Sequence, residues 1–283
     1  GGAGVFQITE HDLSDVNKLP AKDGKYDWSR DHFGKPVFLT VSSQLQLEAI
    51  SCALGAVYTT NKSFRSEHSS TYKHVSEFTH LEIEDIFIDL NDLMTIGERY
   101  IKYLANYLLE TCSNELEGLN KFTSKGIVDR VKEIRNATFY RITHEDAIEL
   151  LQNSDMKEKP QQGEDLSSEA ENWLTDYFKG PVFVTHWPIS IKSFYMRQCD
   201  NGTCESFDLL MPYKIGELIG GSMREENYDK LLSMMKQKGV DETKLKFYTD
   251  LRKFGTVPHG GFGLGVDRLC MMFTGMENIK DVI

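Results

Sequence analysis

Apolar and polar positions change their spacing several times along the chain, and those changes mark its elements. Residues 33–41, FGKPVFLTV, read as a turn and an apolar β-rich run, after which Ser42 or Ser43 caps a helix carrying Leu45, Leu47 and Ile50. From Ala56 to Glu67 β-branched and aromatic residues dominate. From Glu77 to Ile88 polarity alternates strictly, with Phe78, His80, Glu82 and Glu84 on one face and Thr79, Leu81 and Ile83 on the other. The polar segment 68–76 joins these runs, which predicts a long antiparallel hairpin. Arg65 and Glu67, two apart on a strand, share a face. Such a charged row is most often a solvated surface. Because the other face is only moderately apolar, a sheet covered on both sides, with the charges lining a pocket, is the competing reading.

Residues 90–117 place Leu93, Ile96, Tyr100, Leu104, Tyr107, Leu108 and Cys112 near a helical period behind Asp89 or Asn91 as cap. The stretch 118–165 is polar and mixed, with a short helix after Thr143, and reads as an insertion or surface connection. Ser168-x-x-Glu171 is a capping box for a helix that stops at Gly180-Pro181. Four β-rich runs follow, at 182–187, 193–199, 206–211 and 215–223, the middle pair joined by an Asn201-Gly202 turn. Two helices, Glu225–Lys238 and Asp241–Lys253, precede a final glycine-rich segment and helix. Strands, insertion, strands and a last helix describe an α+β arrangement, an antiparallel β-sheet flanked by helices.

The glycine-rich segment HGGFGLGVDRL, residues 259–269, points to a phosphate-bearing ligand, because glycines admit close backbone approach and a helix N-terminus favours anions. Tight helix–sheet packing explains the glycines equally well, and neither common nucleotide fingerprint fits. Net charge of −11 over 283 residues argues against a surface that is basic throughout, though not against a local basic groove. Five cysteines without Cys-x-x-Cys spacing indicate neither a disulfide framework nor a zinc site. No apolar run approaches the roughly 18 residues of a membrane span. The chain reads as soluble and cytoplasmic, and its abrupt start on GGAG reads as a piece of a longer protein.

FRSE at 64–67, followed by HVSEFTHLEIE at 74–84, resembles the second signature motif of class II aminoacyl-tRNA synthetases, and GFGLGVDRL at 261–269 resembles the third. LTVSSQLQLE (39–48), SFYMRQC (193–199), GELIGGSMRE (216–225) and FYTDLRKFGTVPHGG (247–261) are similar to the asparaginyl branch of that family. The resemblance implies one class II catalytic domain over 1–283, short at both ends, with a helical and polar insertion at about 90–180. It further implies a homodimer and activation of asparagine with ATP and Mg²⁺, followed by transfer to tRNA(Asn).

The resemblance also assigns roles. Arg65 and Arg268 become catalytic, since activation brings a carboxylate and a phosphate together and a guanidinium bridges two anions. Glu67, His74, Val75, Phe78, Glu217, Gly263 and Gly265 join them in holding ATP. Asp208 and Glu217 would hold Mg²⁺. Gln44, Glu82, Arg197, Gly220, Gly221 and Arg224 would bind the amino acid, Glu82 accepting from the side-chain amide and Arg197 donating to its carbonyl. Leu47 stands where the aspartyl enzymes carry a lysine for the second carboxylate.

Several positions depart from the family pattern. Tyr72 and Lys73 stand where two arginines are usual, Asp267 where glutamate is usual, and Tyr213-Lys214 sets Asp208 and Glu217 one residue further apart. The first motif, the Pro-containing tail and the anticodon-reading barrel are not in the sequence. Two other readings compete with the main one. A synthetase-like asparagine synthetase would activate aspartate and use ammonia, and a non-catalytic RNA-binding paralogue would not keep Arg65, Glu67, His74 and Arg268.

Overall fold

The computed structural model describes residues 4–66 and 72–283. Two short ladders fold the N-terminal segment, β1 (Gln7–Ile8) with β4 (Val37–Phe38) and β2 (Ala21–Lys22) with β3 (Lys25–Tyr26). Helix α1 (Gln44–Leu54) follows. Ser43 holds the cap position without a side-chain cap; the Ser42 hydroxyl accepts the Gln44 N–H at 3.1 Å instead.

The hairpin forms as expected. β5 (Val57–Phe64) and β6 (Glu77–Ile86) pair antiparallel, from Val57 opposite Glu84 to Phe64 opposite Glu77. They belong to a larger sheet with β7 (Tyr140–Thr143), β8 (Val182–Thr185), β9 (Ser206–Met211), β10 (Gly216–Met223) and β11 (His259–Gly265). The order is β5-β6-β11-β10-β9-β8-β7, antiparallel except between β7 and β8. The last strand in sequence therefore sits inside the sheet, between the hairpin and β10.

Leu81, Ile83, Phe207, Leu209, Ile219, Phe262 and Leu264 turn one face of the sheet into the main core. Helices α2 (Leu90–Thr111), α4 (Ile127–Asn136) and α9 (Val266–Thr274) cover that face with Leu93, Ile101, Val131, Ile134 and Met272. A reciprocal capping box between Asp89 and Asp92 starts α2, which breaks at Cys112 into α3 (Ser113–Phe122). The stretch 118–165 is more than a polar connector. Ile127, Val131 and Ile134 of α4 are at most 1% exposed, and Tyr140–Thr143 is an edge strand. Its buried positions fall at i, i+4 and i+7, but four apolar residues among the charges of a ten-residue helix were too few for the period to be read.

Thr143 caps α5 (His144–Gln152), and Ser167, one residue earlier than the sequence pattern suggests, caps α6 (Ser168–Phe178). Residues 193–199 do not form a ladder strand; Met196 and Gln198 make isolated bridges to Arg224 and Cys204 around the turn at Gly202. All five cysteines are free. Helices α7 (Tyr228–Gln237) and α8 (Lys246–Phe254) precede β11. Among the described residues no helix is long and apolar enough to cross a membrane.

Candidate active site

The glycine-rich segment is a strand in the middle of the sheet, and none of its four glycines has a positive φ. Its alternation explains them. Gly261, Gly263 and Gly265 stand opposite Glu84, Glu82 and His80 of β6, and Gly263 stands opposite Gly220 of β10. From Gly261 to Gly265 one face of β11 thus carries no side chains, while Phe262 and Leu264 fill the core from the other. Gly260 lies on the core side, where a Cβ would come 2.7 Å from Leu93 Cδ1. The bare strand floors a cleft of about 810 Å³, walled by the charged face of β6, α1, β10 and the start of α9. The charged row of β6 is therefore a buried pocket wall, with Glu82 and Glu84 only 3% and 1% exposed.

At one end of the cleft, Arg65 follows the last residue of β5, its guanidinium 5.1 Å from the centre of the Phe78 ring. Among the described residues its buried Nε has no hydrogen-bond partner, which suits a guanidinium built to receive an anion. His74 and Val75 line the same end, and Glu67 lies outside the described residues. Arg268, in the first turn of α9, donates to the Glu217 carbonyl and, at 3.4 Å, to the Lys73 carbonyl, tying the hairpin loop to β10. Asp267 accepts the Thr79 N–H at 2.7 Å and fixes the start of α9 to β6. Burial, with the Arg65 charge, lowers the His80 pKa against the pull of Glu82, so the imidazole is neutral.

Acids converge beside this end. Asp208 and Glu217 flank Gly220, where a Cβ would lie 2.9 Å from Glu217 Oε1 and 3.4 Å from Asp208 Oδ1. Between them the chain turns through Tyr213 and Lys214 at φ 65° and 62°, and β10 bulges just after Glu217, between Glu217 and Ile219. Lys192 Nζ sits 2.5 Å from Asp208 Oδ2 and 3.9 Å from the centre of the Trp187 ring. Burial opposes the Lys192 charge, but Asp208 and Glu217 more than offset it and raise its pKa. A third acid, Glu171, reaches in from α6 to Gly216, where a Cβ would meet its Oε2 at 2.4 Å. Burial, then the Glu217 charge, pushes the Glu171 carboxyl up to about 7 against Lys73 and Arg268. Sequence reading took Glu171 for a capping acid and passed over Lys192, since tertiary contact alone marks either. Three carboxylates here face three cations, Lys192, Lys73 and Arg268, so Asp208 and Glu217 offer Mg²⁺ the oxygen donors it takes only by sharing them with Lys192.

At the other end, Glu82 accepts the Ser43 N–H at 2.8 Å and the Ser42 hydroxyl, so the start of α1 clamps it. Arg224, 3% exposed, forks onto Glu84 at 2.9 and 2.8 Å. Burial disfavours its charge, and Glu84 more than restores it, raising the Arg224 pKa. Gln44 lines the cleft and donates to Glu48 at 2.9 Å. Gly220 and Gly221 both line the cleft, and a Cβ on Gly221 would meet Phe207 Cζ at 2.6 Å. Leu47, 5% exposed, is an apolar part of the wall. Arg197 is not brought to the cleft. Its guanidinium is held by Glu205 at 3.2 Å and by Glu226, so the arginine at this end is Arg224.

An antiparallel sheet with a bare glycine strand, a motif arginine on the hairpin and another after the glycines define the class. The chain belongs to the tRNA synthetases of class II (D, K and N), whose family model matches residues 17–283. Within it, the chain is 47% identical over 291 residues to the probable mitochondrial asparagine–tRNA ligase of Dictyostelium discoideum, covering 100% of this chain and 60% of that protein. It is 46% identical over 272 residues to cytoplasmic asparagine–tRNA ligase 1 of Arabidopsis thaliana, covering 94% and 47%. The crystal structure of asparaginyl-tRNA synthetase from Pyrococcus horikoshii with asparaginyl-adenylate matches at a TM-score of 0.83 and 35% identity, over 100% of this chain and 59% of that one. The chain thus spans between 47% and 60% of these relatives' length.

Proposed function

We propose that this chain is the catalytic part of an asparagine–tRNA ligase. An α-carboxylate oxygen of asparagine attacks the α-phosphorus of ATP, the bond from that phosphorus to the bridging oxygen breaks, and asparaginyl-adenylate and pyrophosphate result. A ribose hydroxyl at the end of tRNA(Asn) then takes the asparaginyl group and releases AMP. The reactants of the first step are both anions, so alignment and charge compensation are what the protein supplies, with no side chain needed as general base. Arg65 bridges carboxylate and α-phosphate, Arg268 holds the nucleotide from the other side, and His74, Val75 and Phe78 bound it. The bare face of β11 lets it lie against the sheet. Asp208 and Glu217, with Glu171 beside them, would hold Mg²⁺, which when bound offsets the charge of the phosphates.

At the amino-acid end Glu82 accepts from the side-chain amide, Arg224 donates to its oxygen, and Gln44 helps to hold the α-amino group. The Arg224 charge is already met by Glu84, and Leu47 offers no cation, so a second carboxylate gains nothing there. The observation that carries this reading is the placement of Arg65 and Arg268 at one end, and Glu82 and Arg224 at the other, of one cleft floored by glycines. A homodimer is part of the proposal, as is a cytoplasmic location, although the relatives' names divide between cytoplasm and mitochondrion.

The test is ATP–pyrophosphate exchange by the full-length protein with asparagine and with aspartate. Exchange with asparagine alone is expected. Exchange with aspartate alone would establish the ammonia-using synthetase instead, and exchange with neither would favour the non-catalytic paralogue.

A further inference from the structure

One buried carboxylate joins the amino-acid end of the cleft to a helix that does not line it. Glu48, fully buried on α1, accepts from Gln44 Nε2 at 2.9 Å, from Tyr248 Oη at 2.8 Å and from Arg252 Nη2 at 2.6 Å. His259 Nε2 approaches it at 3.1 Å, and Arg224 Nε lies 3.8 Å away. Arg252 also donates through Nε to the Glu225 carbonyl at 2.9 Å, gripping the backbone next to Arg224. Tyr248 and Arg252 belong to α8, and neither they nor Glu48 line the cleft.

A carboxylate in so dry a place stays ionised only while cations face it. Arg252 makes the closest contact of any cation and leaves Arg224 free to fork onto Glu84. Without Arg252 the nearest remaining guanidinium is that of Arg224. Either Arg224 turns from Glu84 toward Glu48, or Glu48 takes up a proton and presents an O–H where Gln44 now donates. Both outcomes misplace a group that faces the amino acid, and neither touches the ATP end.

We propose that Arg252, with Tyr248, positions the amino-acid pocket through Glu48, making α8 a supporting element for asparagine recognition. The inference rests on reading this end of the cleft as the asparagine pocket. The experiment is pyrophosphate exchange by the full-length protein, titrating asparagine and ATP separately, for Arg252→Met, Arg252→Lys and Tyr248→Phe. Arg252→Met is expected to raise the asparagine KM about tenfold or more with the ATP KM within about twofold, Arg252→Lys to recover part of it, and Tyr248→Phe to raise it about threefold. Should Arg252→Met fail to fold, Tyr248→Phe, which keeps the ring and removes one donor, decides alone. Equal rises in both KM values, or an unchanged asparagine KM, overturn the inference while the pocket reading stands. A wild-type protein that exchanges without regard to asparagine removes the pocket reading and this inference with it.

Discussion

His80 Nε2 lies 2.3 Å from the point where a Cβ on Gly263 would sit. Gly263 is a glycine because a neutral imidazole from the neighbouring strand crosses it, so its bearing on ATP passes through His80. His80 Nδ1 lies 3.3 Å from Ser63 Oγ and 3.6 Å from Glu82 Oε1, so Gly263→Ala is expected to push His80 off both and to lower stability by about 1–3 kcal/mol, the usual cost of overpacking, in melting experiments without ligand. Gly265 differs, since its nearest neighbour would be Arg268 Cβ at 3.8 Å. Gly265→Ala should melt like the wild type and raise the ATP KM. Equal melting of both variants would contradict the geometry.

Arg65 carries the reaction in this reading, and its buried Nε has no described partner to lose. Arg65→Ala should leave the melting temperature within a few degrees of wild type and abolish exchange. Arg65→Lys should not restore it, because an ammonium cannot bridge two anions as a fork does. Activity within about tenfold of wild type, only about 1.4 kcal/mol of transition-state stabilisation, would remove Arg65 from the mechanism.

Glu171 predicts a pH dependence. Its ordinary value is 4.5 and the fold raises it to about 7, so between those pH values the folded protein holds a proton that the unfolded chain has released. Stability then falls as pH rises through that window, because the unfolded state binds fewer protons there. Glu171→Gln should flatten this slope, matching wild type near pH 4 and melting higher at pH 8, by a difference on the order of 1–3 kcal/mol. A variant less stable than wild type at pH 8 would show that the carboxylate is a needed partner of Lys73.

Much of this was readable before the structure. The strict alternation in β6 put Phe78, His80, Glu82 and Glu84 on one face but favoured turning that face to solvent, whereas it is the buried pocket wall; the glycines of 259–265 marked where a ligand approaches, though not that they form a strand. Both signals are local, because a period of two assigns faces without knowledge of what covers them. What was not readable came from long-range contact. α4 hid its core face among charges, Glu171 passed for a cap, and Lys192 acquired its place only when the segment before residue 193 folded over β9. Residues 193–199 misled in the other direction. Their β-rich composition predicts a strand, but Glu205 and Glu226 draw Arg197 away from the cleft and the segment only bridges to its neighbours.

That displacement yields the sharpest separation of roles. Arg197 is a partly exposed side chain shared by two acids, the kind of pairing usually worth about 0–1 kcal/mol. Arg224 is buried, forked onto Glu84, and lines the same cleft as Glu82. Arg197→Ala is thus expected to change the asparagine KM by less than about threefold, whereas Arg224→Lys should raise it more than about tenfold because the ammonium cannot keep both bonds to Glu84 and still donate to the amide. The ATP KM should stay put in both, since neither side chain reaches Arg65 or Arg268. If Arg197→Ala proved the more damaging, the resemblance-based role would stand, and the segment would have to close on the cleft when asparagine binds.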